Sequence, residues 1–364
     1  MSLRPLNAVL AGGGTGGHVI PAIAVAEEIL RLGGRARFIG LSDRLEARLV
    51  PRAGFGIDFI KVHPLAGGGV KHIARGLSSV PAAVLRSMIL LGGIKPQVVL
   101  GVGGYVAGPV VLAAKILRIR TALLEQNATV GLTNRLLSRM VDRAFVTYEE
   151  TASAFGEKQV VITGNPVKTA IAEAAKKRKK NKGKVIRIVV MGGSQGARSI
   201  DERVPAAMAL AELAGEVTVL HQCGRGREEN VKTAYQEAGV EVTVVPFIDD
   251  MASTYLDADL VVARAGATTV SELTVMGLPA VLLPYPHHAD RQQERNAGPM
   301  GRAGAAIVLN EKLTEVREMA DAISAFVRDE EQRSDAAKAS VSLGRPGAAR
   351  RVVDGLAELT EWKT

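Results

Sequence analysis

The first residues able to do chemistry stand at Asn7–Ala22, NAVLAGGGTGGHVIPA, where a short apolar run enters a loop of five glycines and is followed by His18 and Pro21. Backbone amides at the start of a helix are unsatisfied donors at the positive end of its dipole, so a bare loop of this kind attracts anions. Gly12-x-Gly14-x-x-Gly17 also has the dinucleotide spacing, with Asp43 placed for a ribose. One such loop is as often a tight turn as a ligand site. Two more, Gly101–Gly108 (GVGGYVAG) and Gly192–Gly196 (GGSQG), change that balance and point to phosphate.

Further along, Arg264-Ala-Gly-Ala-Thr-Thr-Val-Ser-Glu272 follows an apolar run. Arg264 and a helix start at Ala267–Thr269 could hold a diphosphate, while Glu272, one turn in, has lone pairs enough to bridge two ribose hydroxyls. In His287-His288-Ala-Asp290-Arg-Gln292-Gln293 the neutral amides suit sugar hydroxyls. The two histidines are adjacent rather than spaced along one helix face, and no Asp-x-Asp pair is expected to carry a divalent ion. Charge on a departing diphosphate would then fall to protein donors.

These groups need a frame to hold them. The 364 residues, 47% hydrophobic, suit two domains. Short β-rich runs at Asn7–Ala11, Ala36–Ile39, Val98–Val102, Thr121–Leu124 and Ala144–Thr147 alternate with helical stretches, one of them at Pro21–Leu32. The pattern restarts with Arg187–Met191, a helix from Arg198, and runs at Val217–Leu220, Glu241–Val245, Leu260–Ala263 and Ala280–Leu283. Alternation of this kind marks parallel sheets built from βαβ units. Two Rossmann-like α/β domains are expected, 1–164 and 165–344, with a helix at 345–364 packing back on the first. Ligands of such sheets bind beyond the carboxyl ends of the strands, where the strand order reverses.

Val98–Ala114 carries no charge, but its glycines and Pro109 divide it into strand, turn and helix rather than a membrane span. Cys223 is the single cysteine and no apolar leader opens the chain, so a reducing, cytoplasmic setting is expected. The formal charge of +9 is local: Lys176–Lys184 (KKRKKNKGK) holds seven positive charges and reads as a solvated segment, leaving +2 elsewhere. Aromatics make up only 4%, which disfavours nucleic acid as a partner. A nicotinamide-dependent enzyme is the alternative reading.

Taken together, GGGTGGHVIPA, GVGGYVAGP, EQN at Glu125–Asn127, GNPV at Gly164–Val167, GGSQGAR at Gly192–Arg198, FIDDM at Phe247–Met251, GATTVSEL at Gly266–Leu273 and DRQQERNA at Asp290–Ala297 resemble one family across nearly the whole chain. It is the bacterial peptidoglycan transferases that add N-acetylglucosamine to undecaprenyl-diphospho-muramoyl-pentapeptide. The resemblance implies the GT-B fold, with two Rossmann-like domains facing a cleft, the lipid acceptor on the first and UDP-N-acetylglucosamine mainly on the second. It implies an inverting, metal-independent transfer to the muramoyl 4-hydroxyl, with no cofactor, at the cytoplasmic face of the cell membrane. Partners would be an anionic membrane surface and the cell-wall synthesis or division machinery.

Carried over residue by residue, donor contacts fall on Thr15, Gly16, Gly17, Asn127, Ser194, Ile248, Ala267, Thr268, Thr269, Val270, Ser271, Glu272, Gln292 and Gln293, and acceptor contacts on Gly103, Gly104 and Tyr105. Two positions depart from the family pattern. Lys168 replaces a usual arginine after GNPV, exchanging a planar fork for a point charge, and Ala265 replaces a common serine. For the proton of the attacking hydroxyl, His18 ahead of the helix at Pro21 is the first candidate, since the dipole favours a neutral imidazole. A role in capping the loop or binding acceptor phosphate stays open, and Glu125 is the second candidate base. Ile73 and Leu77 recur at helical spacing beside Lys71 and Arg75, a pattern suited to a membrane surface or to a core.

Overall fold

The computed structural model describes residues 5–63, 70–156, 160–179, 185–193, 195–287 and 290–362, excluding the side chains of residues 70–77. It divides into two compact units: one runs to Thr169 and takes back the chain from Pro346, and the other is Ala170–Arg345.

The first unit alternates β1 (Asn7–Gly12), α1 (Gly16–Arg31), β2 (Arg35–Gly40), α2 (Glu46–Arg52), β3 (Ile57–Phe59), α3 (Val70–Ile94), β4 (Val98–Gly103), α4 (Gly104–Ile116), β5 (Arg120–Glu125), α5 (Leu132–Leu137), β6 (Arg143–Val146) and β7 (Val160–Ile162). All pair in parallel, in the order β3-β2-β1-β4-β5-β6-β7. Successive strand residues face opposite sides of a sheet. Thus Ala8 and Leu10 pack with Ile23, Ala26 and Ile29 of α1, while Val9 and Ala11 pack with Ala83, Leu91, Val106 and Val110 of α3 and α4. Burial on both faces explains why these strands read as unbroken apolar runs.

In the second unit α6 (Thr169–Lys177) leads into β8 (Ile186–Met191), α7 (Arg198–Leu210), β9 (Val217–Gln222), α8 (Glu228–Glu237), β10 (Glu241–Val245), α9 (Met251–Asp257), β11 (Leu260–Ala263), α10 (Ala267–Met276), β12 (Ala280–Leu282), α11 (Gln292–Arg302), β13 (Ala306–Val308), α12 (Val316–Arg328) and α13 (Glu330–Leu343). Its parallel strands lie in the order β10-β9-β8-β11-β12-β13.

The last helix, α14 (Ala348–Thr360), returns to the first unit. Val352, Val353 and Leu356 join the core against α1. Arg351 Nε donates to the Thr163 carbonyl at 2.9 Å. Gly355 is required here, because a Cβ would stand 2.4 Å from the Phe145 ring.

Four sequence expectations need correction. Helix α1 begins at Gly16, not Pro21, so His18 sits in its first turn; Pro21 is accommodated inside the helix. The chain crosses between units at 169/170 rather than 164/165, because the amides of Thr163 and Gly164 still donate to Val146 O and that of Thr169 to Glu27. Arg178, expected in a solvated run, instead donates to the carbonyls of Gly277 at 3.1 Å and Ala258 at 3.0 Å. Finally, Asp257-Ala-Asp259 does have Asp-x-Asp spacing. It stands at the amino end of β11, where Asp259 accepts the Arg187 amide at 2.9 Å, away from the strand ends where ligands bind.

Candidate active site

In the first sheet the order reverses between β1 and β4, which brings the loops after these strands side by side. Gly12 pairs with Gly103. Gly104, at φ 73°, has Gly13 O where a Cβ would come within 2.5 Å, and a Cβ on Gly103 would lie 2.7 Å from the His18 ring. Close approach of the two loops therefore requires glycine at 12, 103 and 104. His18 rests over Gly103 with Nδ1 3.2 Å from Thr15 Oγ1. Neither α1 nor α4 has a side-chain cap, so their opening amides remain available to a ligand. Tyr105 opens α4 half-buried against the core of the α3–α4 face.

The pKa of His18 lies below the ordinary 6.5: burial lowers it, and the negative charges of Glu125 and Glu46 and a backbone hydrogen bond at Gly13 oppose that only in part. The imidazole is thus neutral at neutral pH and can accept a proton.

Glu125, the second candidate base, is differently engaged. Its Oε1 accepts the amide and Nδ2 of Asn127 at 3.1 and 3.2 Å, and its Oε2 accepts the Gly131 amide at 3.0 Å and Asn134 Nδ2 at 2.9 Å. A carboxylate has about four acceptor sites, and all are taken. Glu125 therefore anchors the loop after β5 and orients Asn127.

The second sheet reverses between β8 and β11. A Cβ on Gly192 would lie 2.2 Å from the Ala197 amide, and one on Gly196, at φ 69°, 1.8 Å from the Cys223 carbonyl. Helices α7 and α10 start after Ala197 and Gly266, again without side-chain caps. The Arg264 amide donates to Met191 O at 3.3 Å, tying the two loops together. A cleft of about 440 Å³ lies here, lined by Gly192, Gly196, Ala197, Arg264, Tyr285 and Gln293. Ser194, like His288 beyond the strand β12, lies outside the described residues.

Arg264 is held by several protein acceptors. Its guanidinium pairs with Glu311, donates to Leu283 O at 2.9 Å and Ser199 Oγ at 3.0 Å, and lies 5.6 Å from the Tyr285 ring centre. Burial works against ionisation of Glu311, but the Arg264 and Ser199 donors and the charges of Arg264 and Arg203 hold its carboxyl below the usual range. Both residues line the cleft.

Glu272 is 7% exposed and accepts from Tyr255 Oη at 3.0 Å. Burial and the Glu272 charge push the Tyr255 phenol well above 10, so it stays a donor and fixes the carboxylate. Among the described residues the buried Thr268 hydroxyl has no partner. Val270 and Ser271 are buried, with Ser271 Oγ donating to Ala267 O at 2.8 Å. Gln293 Oε1 accepts the Tyr285 amide at 2.9 Å, which leaves its NH₂ for a ligand. Gln292 is half-buried at the first turn of α11, and Ile248 is half-buried beyond the carboxyl end of β10. Ala265 is fully buried, and its carbonyl accepts from Asn296 Nδ2 at 3.3 Å. Lys168 is half-buried in the first unit. Tyr255→Phe, which removes one hydrogen bond to a charged group, is expected to raise the KM for a nucleotide sugar by about tenfold with little change in kcat. Steady-state kinetics would check this, and an unchanged KM would remove Tyr255 from the account.

Glu46, Tyr255 and Glu311 escape the sequence reading. Each acts through a partner distant along the chain, and no spacing marks it. Asp43, placed for a ribose by its spacing, is 73% exposed and 3.8 Å from Arg44. A cavity of about 580 Å³ among Asn7, Arg35, Arg37, Asp58 and Ile94 lies at the amino edge of the first sheet, opposite the glycine loops. Arg37 is already neutralised there by Asp58 at 2.6 Å.

Comparison with known proteins agrees with this geometry. The glycosyltransferase family 28 N-terminal domain matches residues 8–146 and the C-terminal domain of the same family residues 187–352. A UDP-N-acetylglucosamine--N-acetylmuramyl-(pentapeptide) pyrophosphoryl-undecaprenol N-acetylglucosamine transferase of Anaeromyxobacter sp. (strain Fw109-5) is 44% identical over 97% of this chain and 93% of its own. The protein of that name from Myxococcus xanthus (strain DK1622) is 39% identical over the same shares. The crystal structure of Acinetobacter baumannii MurG superposes with a TM-score of 0.76 at 30% identity, covering 97% of this chain and 100% of that one. A UDP-GlcNAc 2-epimerase from Neisseria meningitidis, at 15% identity and a TM-score of 0.68, shares the fold. The nicotinamide reading finds no support. This chain is a glycosyltransferase of GT-B type, and it belongs to family 28 with the UDP-N-acetylglucosamine--N-acetylmuramyl-(pentapeptide) pyrophosphoryl-undecaprenol N-acetylglucosamine transferases.

Proposed function

We propose that the chain transfers N-acetylglucosamine from UDP-N-acetylglucosamine to the 4-hydroxyl of the muramoyl sugar of undecaprenyl-diphospho-muramoyl-pentapeptide, with inversion, giving a β-1,4-linked disaccharide lipid. One observation carries the reading. Both switch points present uncapped helix starts, one with a neutral imidazole and the other with an oriented, buried carboxylate.

His18 takes the proton of the attacking hydroxyl as its oxygen bonds to the anomeric carbon from the face opposite UDP. The anomeric C–O bond to the diphosphate breaks, and the electron pair leaves with UDP. Amides at the starts of α7 and α10 stabilise that charge, while Glu272 holds the ribose diol and Gln292 and Gln293 hold sugar hydroxyls. Lys168 supplies a point charge toward the donor, and Gly103, Gly104 and Tyr105 line the acceptor side. A thermal-shift panel tests the donor: UDP-N-acetylglucosamine should stabilise the protein more than UDP-glucose, UDP-N-acetylgalactosamine or NAD. Equal stabilisation by NAD would overturn the assignment.

The acceptor's lipid requires a peripheral contact with the cytoplasmic face of the membrane. Among the described residues no helix is long and apolar enough to cross one. The contact is assigned to α3 and its neighbour α4, where Leu85, Ile89 and Ile116 are 61%, 59% and 54% exposed near Arg86 and Arg118 in sequence. The side chains of Lys71, Ile73, Arg75 and Leu77, placed on the same helix by the sequence, lie outside the described residues. Leu85→Glu with Ile89→Glu is expected to lower cosedimentation with anionic vesicles severalfold while thermal stabilisation by UDP-N-acetylglucosamine persists. Undiminished vesicle binding would remove this contact.

A further inference from the structure

Glu46 opens α2 and is 1% exposed. A buried carboxylate is costly unless its oxygens are met, and here they are met by two loops. Oε2 accepts the Gly14 amide at 2.9 Å, in the loop after β1, and Oε1 accepts the Leu41 amide at 3.1 Å, just beyond β2. Both loops leave room for it. A Cβ on Gly13 would stand 1.9 Å from Oε1, and a Cβ on Gly40 2.7 Å from the Glu46 Cγ.

The same loop touches the reacting group on its other side. Gly13 O abuts Gly104, and Gly103 abuts the His18 ring. The Gly14 amide is thereby withdrawn from any anion, and a negative charge beneath this loop opposes phosphate there. The first loop is consequently a mount for the imidazole, in which Gly12 and Gly13 serve close packing.

We propose that Glu46 is a positioning residue of the transfer, its carboxylate clamping Gly13–Gly14 so that the His18 imidazole is held over Gly103 at the head of α4. This rests on the reading of His18 as the base. Glu46 is too buried to meet a substrate, so its effect must pass through the loop.

Glu46→Gln keeps the shape but sets an NH₂ against one of the two amides. Misplacement of a catalytic group by about 1 Å can cost 10²-fold, so kcat should fall by about 10- to 100-fold while the KM for UDP-N-acetylglucosamine stays within about twofold. Two negative charges face His18, from Glu46 and from Glu125 at the end of β5, and both raise its pKa. Removing one should move the acid limb of the kcat profile to lower pH. In a His18→Ala background, Glu46→Gln should lower kcat no further. Should Glu46→Gln not fold, Glu46→Asp, which retains charge but shortens the reach, is measured in its place and should lower kcat with donor KM retained. Unchanged kcat in a folded variant, a parallel loss of kcat and donor affinity, or additive losses in the double variant would each overturn the proposal. The two readings fail separately: wild-type turnover in His18→Ala alone removes the base, whereas wild-type turnover in the Glu46 variants beside an inactive His18→Ala removes only the clamp.

Discussion

His18→Ala is expected to lower kcat by about 10²- to 10⁴-fold, the usual contribution of a positioned general base, while the KM for UDP-N-acetylglucosamine changes far less. The imidazole belongs to the first turn of α1, whereas Glu272 and the cleft beside it belong to the second unit. Donor affinity therefore has little to lose with the ring. The pH dependence follows from the same environment. Burial sets the pKa of His18 below 6.5; the competent neutral form persists as pH falls to that lowered value, and only beneath it does protonation remove the base. Activity in wild-type protein should thus hold from neutrality to below pH 6.5 and then decline, while the residual activity of His18→Ala should lack that limb. Unchanged turnover in His18→Ala would reject the role.

Glu272 should give the opposite kinetic signature. A hydrogen bond to a charged group is worth about 1.5–3 kcal/mol, so losing those from the carboxylate to a ribose diol should raise the donor KM by about 10- to 100-fold with kcat largely retained. Glu272→Ala carries a complication, because it also leaves the buried Tyr255 hydroxyl without its acceptor. Glu272→Gln keeps an acceptor for Tyr255 and removes the charge, which separates ribose binding from the stability of α10. Kinetics with saturating acceptor, read beside the melting temperature, distinguish the two. A fall in kcat at unchanged donor KM would place Glu272 elsewhere in the reaction.

Sequence periodicity shows most of the frame, because strands buried on both faces leave apolar runs that glycine loops punctuate. β10 and β11 coincide with the runs read from the sequence, and the others differ at their ends by a residue or two. The strands β3, β7 and β13 escape the sequence reading because they are short edge strands only partly buried, without the continuous apolar run of the equally short but fully buried β12, and they exist because a neighbouring strand offers them a ladder. Glycines signal a loop locally, which points to a helix start at Pro21, yet Gly16 and Gly17 are the first helical residues of α1.

In the site, residues on the glycine loops were legible because strand, turn and helix follow one another directly in sequence. Their supports were not. Glu46 reaches Gly14 across 32 positions and Glu311 reaches Arg264 across 47, and only the parallel pairing of strands makes such groups neighbours. For that reason Arg264 reads as a phosphate ligand in the sequence but has its charge met in the fold, and Glu125 reads as a base but has its oxygens filled by Asn127, Gly131 and Asn134.

Hydrogen exchange with and without UDP-N-acetylglucosamine tests most directly whether the switch point of the second sheet holds the nucleotide. Binding should slow exchange of amides at 195–198 and 266–272, the starts of α7 and α10, and leave the residues around Arg35, Arg37 and Ile89 at the amino edge of the first sheet unaffected. Protection confined to that amino edge, with residues 195–198 and 266–272 exchanging as in the free protein, would contradict the account.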